Sequence, residues 1–302
     1  MGGLHDLLIT NETAASRPSP GRACVEAGMV WHLEETCESG AGSISWGMVG
    51  SGRPSVVAHG WPQSRFAWHR VLDPLTDHFT VYGYDMPGFG QSDKALHEHR
   101  GIDAQGVMLA ELLQYWQLDH PSVWAHDFGG AVTLRALLVH GYQVDRHLSI
   151  NVVAMRPWGS AFFDHVRRHI DAVEGLPTRI HAGIVSAFIG GALIQPLEEE
   201  DRDALEASWR DSEGQKAVYR QFAQTDEALT AESEPHFATL HGEIHVLRVA
   251  DDPLIPMSRG QALAEANGCE IEPMPNLGHR PQLENPDQVA NRALTFLTKR
   301  AA

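Results

Sequence analysis

The strongest constraint on how this 302-residue chain can fold is a rhythm. Short apolar runs recur, "SVVAHG", "FTVYGYD", "SVWAHD" and "LSINVVAM", then "IHVLRVAD" and "CEIEPMP", with helical stretches such as "AQGVMLAELLQYWQL" between them. Runs of this length suit strands covered on both faces, and their alternation with helices predicts a mostly parallel sheet flanked by helices, the α/β class. The rhythm fails between Met155 and Leu240. There the segments "AFFDHVRRHIDAVEG", "RIHAGIVSAFIGGALI", "EEEDRDALEASWRDSE" and "GQKAVYRQFAQTDEAL" all read as helix. A helical insertion between two strands of such a sheet is expected to cover the strand ends, where ligands bind in open α/β folds. The expected organisation is a core from residues 22–155 and 241–302, a helical cap at 156–240, and a loosely held arm at 1–21, rich in small and polar residues.

Composition removes several functional classes. A formal charge of -16 disfavours nucleic acid or anionic membrane as a partner, because both reward positive surface. No apolar run approaches a membrane span, and "MGGLHDLLITNETAAS" has neither the features of a signal peptide nor those of a myristoylation site. Cys24, Cys37 and Cys269 are too few and scattered for a disulfide framework. A reducing, cytoplasmic setting is the expectation.

The most pointed local feature is "SVWAHDFGGA", an apolar run that ends in His126 and Asp127, followed by two glycines and the helical "AVTLRALLV". Strand, sharp turn and helix follow from this pattern, with a carboxylate at the apex. Asp before glycines is often a helix cap. The other reading is a nucleophile, since a carboxylate ionised near neutral pH attacks carbon without a base beside it.

Taken with this turn, "VVAHGWPQSRFAWHRV", "YDMPGFGQSDK", "RVADDPLIP" and "NLGHRPQLENP" stand in the order and spacing of the α/β-hydrolase family. More narrowly, the chain resembles the epoxide hydrolases and related dehalogenases, whose elbow nucleophile is aspartate. The resemblance runs from about Val56 to the C-terminus and is weakest in the cap. It implies an α/β-hydrolase fold with the cap inserted after the sixth strand. Asp127 would be the nucleophile, His279 the base that activates water against the Asp127 ester, and Asp252 the acid that orients His279. Asp251 is the rival for that last role, and turn chemistry before Pro253 is the bland alternative for both. Backbone N–H groups of Trp61 and Phe128 would form the oxyanion hole, with Gly129 and Gly130 allowing helix and strand to approach.

The leaving group is less well marked. Phe128 stands where haloalkane dehalogenases generally carry a halide-holding tryptophan and fluoroacetate dehalogenases usually carry arginine. Epoxide hydrolases use cap tyrosines as proton donors, and here only Tyr219, in "AVYRQF", matches; His165, His169 or His181 would be the substitutes for a second. Arg280, where the family often has an aromatic residue, either faces solvent or meets an anionic substrate. "HVRRH" lacks the glutamate of a zinc motif, "GFGQSD" lacks the third glycine of a dinucleotide fingerprint, and "PLEEEDRDALEASWRD" reads as a solvated helix face. The expectation is an enzyme that opens an epoxide of a small, largely apolar organic substrate to a vicinal diol. It needs no metal or organic cofactor, and a homodimer is compatible with it. A dehalogenase of the same fold and a ligand-binding protein without turnover are the alternatives.

Overall fold

The computed structural model describes residues 31, 33–40, 42–95 and 99–299. The arm expected at 1–21 lies outside them, as does Cys24. Eight strands form one sheet: β1 (Glu35–Ser39), β2 (Gly42–Gly50), β3 (Arg53–Ala58), β4 (Phe79–Tyr84), β5 (Ser122–His126), β6 (Arg146–Ile150), β7 (Glu243–Val249) and β8 (Ile271–Met274). Their spatial order is β1-β2-β4-β3-β5-β6-β7-β8; β2 pairs antiparallel with both β1 and β4, and the remaining pairs are parallel. The apolar runs do not mark β1 and β2, the two strands that an insertion after the sixth strand requires ahead of β3. They form an edge hairpin with polar positions, Glu35 and Thr36 being exposed, so they lack the continuous apolar signature of a covered strand. The run "LSINVVAM" is also shorter as a strand than it reads, because Asn151 turns to φ 46° directly after β6.

Strand alternation builds both faces of the core. Val56, Val123 and Ala125 point to one face, packing with Leu109, Leu112 and Leu134. Val57, Trp124 and Leu148 point to the other, with Trp68, Val289 and Leu297. The first face is covered by helices α2 (Ile102–Tyr115) and α3 (Phe128–Leu138), which follow the short α1 (Asp73–Thr76).

Between β6 and β7 the chain forms α4 (Ala161–Arg168), α5 (Ile170–Glu174), α6 (Thr178–Gly190), α7 (Glu199–Ala207), α8 (Ser212–Ala223) and α9 (Glu227–Ala231). After β7 come α10 (Met257–Asn267), α11 (Pro281–Glu284) and α12 (Pro286–Thr298). The acidic α7 is not wholly a solvated face. Asp201 is buried and bonds Arg70 at 2.7 Å and His69 at 3.2 Å, so this helix is tied to the core by an ion pair.

Parallel register decides where function can sit. Ala58 pairs with Ala125, His126 with Ile150, and Ile150 with Leu247, so the residues that follow β3, β5, β6 and β7 leave the sheet along one edge.

Candidate active site

Asp127 sits between β5 and α3 with φ 51° and ψ −121°, a backbone conformation that an L-residue adopts only under constraint. The packing supplies the constraint. A Cβ on Gly129 would lie 2.4 Å from the His59 carbonyl oxygen, and one on Gly130 would lie 2.2 Å from Val152 Cβ. The two glycines thus let α3 press against the strand ends. Asp127 occupies the helix-cap position, yet its carboxylate caps no backbone N–H of α3. Its Oδ2 instead accepts from the Trp61 backbone N–H at 2.8 Å, and Oδ1 faces His279 Nε2 at 3.4 Å. The helix-cap reading therefore fails. Phe128 N–H belongs to the first turn of α3, whose amides have no partner within the helix.

His279 lies on the loop between β8 and α11 and is fully buried. Its Nδ1 bonds Asp252 Oδ2 at 2.9 Å. The other oxygen of Asp252 accepts from Leu254 N–H at 2.8 Å and Ile255 N–H at 3.1 Å, which locks the carboxylate plane. Asp251 is exposed and reaches only the Asn276 N–H, at 3.4 Å. Between the two rivals, the geometry brings Asp252 to the histidine.

Three residues that sequence reasoning passed over hold the histidine loop. His126 Nε2 and Asn151 Nδ2 both donate to the His279 carbonyl, at 2.7 and 3.0 Å. Asn151 Oδ1 accepts from Val249 N–H at 2.9 Å, so one side chain links the ends of β6 and β7 to the loop. Glu284 Oε2 accepts from Gly278 N–H at 2.8 Å and from Ile194 and Gln195 N–H of the helical insertion. His126 is visible as the neighbour of Asp127; Asn151 has no local signal beyond its place after a strand.

The electrostatics follow from this packing. Burial alone would raise the Asp127 carboxyl, but the charged His279 ring and the Trp61 N–H outweigh it and hold it well below its usual value. Asp252 is likewise held low, with His279, Arg248 and the Leu254 N–H opposing its burial. Burial would lower His279, but the flanking carboxylates of Asp252 and Asp127 raise it to about 9. His126, buried beside His279, is pushed down to about 3 and stays neutral, donating through Nε2.

Asp127 opens into a cavity of about 90 Å³ whose walls include Trp61, Phe128, Phe163, Phe188 and Gln221. The cap residues expected to serve there are elsewhere. Tyr219 is buried, and its hydroxyl donates to His181 Nδ1 at 3.1 Å, while His181 Nε2 donates to the Trp209 carbonyl. Tyr219 is not part of the cavity wall, because two residues along a helix turn the side chain by about 200° and α8 presents Gln221 instead. His165 and His169 are exposed with rings 4.8 Å apart, and no group of three ligands that could hold a metal ion occurs among the described residues. Neither reading of Arg280 holds. It is fully buried, outside the cavity wall, and donates to the Ile189 carbonyl at the C-terminal end of α6, where a cation opposes the helix dipole.

Among the described residues no helix is long and apolar enough to cross a membrane. Residues 56–292 match the model of the Alpha/beta hydrolase family. Over 86 residues the chain is 39% identical to a soluble epoxide hydrolase of Corynebacterium sp. (strain C12), a stretch covering 28% of this chain and 29% of that protein. Over 270 residues it is 26% identical to the dihydrolipoyllysine-residue acetyltransferase component of the acetoin cleaving system of Pseudomonas putida, covering 88% and 69%. Among solved structures, an alpha/beta hydrolase fold protein from Burkholderia ambifaria is similar with a TM-score of 0.85 at 35% identity, covering 88% of this chain and 99% of that one. The epoxide hydrolase CorEH shares the fold with a TM-score of 0.70 at 21% identity, covering 87% and 98%.

Proposed function

Since the chain belongs to the alpha/beta hydrolase family, we propose that it opens small epoxides to vicinal diols through an ester of Asp127. The observation that carries this reading is the carboxylate at the elbow, held by Trp61 N–H on one oxygen and facing His279 with the other. Oδ2 already occupies the donor site that must later hold an oxyanion, which leaves Oδ1 to attack carbon. The partial identity to a soluble epoxide hydrolase supports the choice of substrate.

The two steps ask opposite things of His279, and its surroundings supply both. At rest, two carboxylates keep the ring protonated at neutral pH. Alkylation turns Asp127 into a neutral ester and removes one of them. The ring then yields its proton more readily and becomes a base for water, oriented through Nδ1 by Asp252. Water adds to the ester carbonyl, the oxyanion sits on the Trp61 and Phe128 N–H groups, and collapse releases the diol. The helices between β6 and β7 act as a cap that closes the apolar cavity.

Displacement of halide through the same ester is the second reading. It is favoured by one observation, the position of Tyr219 outside the cavity, since halide leaves without a proton. Mass separates the two. In His279→Gln the ester should accumulate, because attack by Asp127 needs no base. An epoxide adduct weighs the whole substrate, whereas a haloalkane adduct lacks hydrogen halide. Absence of any adduct with a substrate that the unmodified enzyme turns over would sink the covalent mechanism.

A further inference from the structure

Opening an epoxide places negative charge on the departing oxygen, and with Tyr219 turned away something else in the cavity must meet it. Gln221 stands at that wall together with Asp127. Its amide orientation is set by its partners. Oε1 accepts from the Trp61 indole Nε1–H at 2.9 Å, and Nε2 donates to the Gly88 carbonyl at 2.7 Å. The indole can only donate and the carbonyl can only accept, so oxygen and nitrogen cannot be exchanged. An amide nitrogen carries two hydrogens. One is spent on Gly88, and the other remains for a ligand.

The anchoring is rigid. Gln221 is buried, and Trp61, which holds its oxygen, also holds Asp127 Oδ2 through the backbone N–H. The nucleophile and the amide are thus referred to the same residue, whose indole packs 3.9 Å, centroid to centroid, from the Phe222 ring on α8.

We propose that Gln221 is the hydrogen-bond donor to the leaving oxygen, taking the place that the cap tyrosine was expected to fill. This rests on the epoxide reading. An amide stabilises charge but does not surrender its proton, so the step differs from tyrosine acid catalysis. Asp127 Oδ1 forms a bond to an epoxide carbon. The ring C–O bond breaks, and its electron pair stays on oxygen as an alkoxide held by the Gln221 N–H. A solvent water protonates the alkoxide, and the hydroxide so formed takes the proton of His279. The product ester is neutral and His279 is left as a free base, ready for the second step.

The test uses the full chain in the His279→Gln background, following adduct formation on Asp127 by rapid-quench intact-protein mass. The probes are propylene oxide and its fluoromethyl and trifluoromethyl analogues, whose opening oxygens are progressively less basic. Gln221→Met should slow alkylation roughly 10²-fold, the typical effect of removing one preorganised donor. The loss should be largest for propylene oxide and smallest for the trifluoromethyl compound. Gln221→Glu keeps an acceptor for the Trp61 indole but has no N–H, and should show the same graded loss; it serves also if Gln221→Met fails to fold. An unchanged rate in a folded variant overturns the assignment. So does an equal loss across the three epoxides, which would mean that Gln221 only positions Trp61. If the His279→Gln parent itself yields no adduct, the epoxide reading fails first and independently of Gln221.

Discussion

Asn151 should be the most costly single residue of the site to truncate. Its side chain makes two buried hydrogen bonds, one to the His279 carbonyl at 3.0 Å and one from Val249 N–H at 2.9 Å. Asn151→Ala leaves the His279 carbonyl with its second donor, His126, so that loss lies at the low end of the ~0.5–1.5 kcal/mol for an ordinary hydrogen bond. Val249 N–H is left buried without a partner, which costs about 1–3 kcal/mol. The φ of 46° suits asparagine and disfavours alanine by roughly 1–2 kcal/mol. Together these give a loss of about 3–5 kcal/mol, read as a lower urea midpoint at unchanged slope. Asn151→Gly removes the backbone strain alone and should recover about 1 kcal/mol. Because the loosened loop carries His279, single-turnover kinetics should show slower hydrolysis of the Asp127 ester with its formation nearly unaffected. A stability within ~0.5 kcal/mol of the parent, or an equal loss in both steps, would refute this account.

Asp127→Ala should abolish turnover while the fold persists, checked by circular dichroism and product assay, since the side chain faces the cavity and completes no core packing. His279 gives the stability a pH signature. Its folded pKa of about 9 exceeds the ordinary 6.5, so its contribution is full below pH 6.5 and is lost as pH rises through 9. The unfolding midpoint should therefore fall across that window; in Asp127→Ala the fall should still begin near pH 6.5, the unfolded value, but be smaller and end at lower pH because one raising carboxylate is gone. Tyr219→Phe should leave the rate of ester formation unchanged and lower stability by about 1 kcal/mol, the worth of its hydrogen bond to His181. A large drop in alkylation would return Tyr219 to the chemistry.

What could be read from the one-dimensional chain was whatever each segment dictates locally. Covered strands announce themselves as apolar runs, and the elbow as an apolar run stopped by Asp127 and two glycines; the family motifs added His279 and Asp252 as residues that needed each other. The edge hairpin of β1 and β2 escaped because strands with polar, exposed positions carry no such run. The rest was decided by packing across long sequence distances. Asn151 meets His279 from 128 residues away, and Gln221 meets Trp61 from 160. Their residue types are ordinary, so no local pattern marks them. The helical period identified α8 and the "YR" segment within it, but a helix shows its face only against a partner. Trp61 and Gly88 turn Gln221 into the cavity, and His181 draws Tyr219 the other way. Arg280 was open between solvent and substrate until the end of α6 closed over it with a carbonyl, a destination set by the docking of helices that lie far away in the chain.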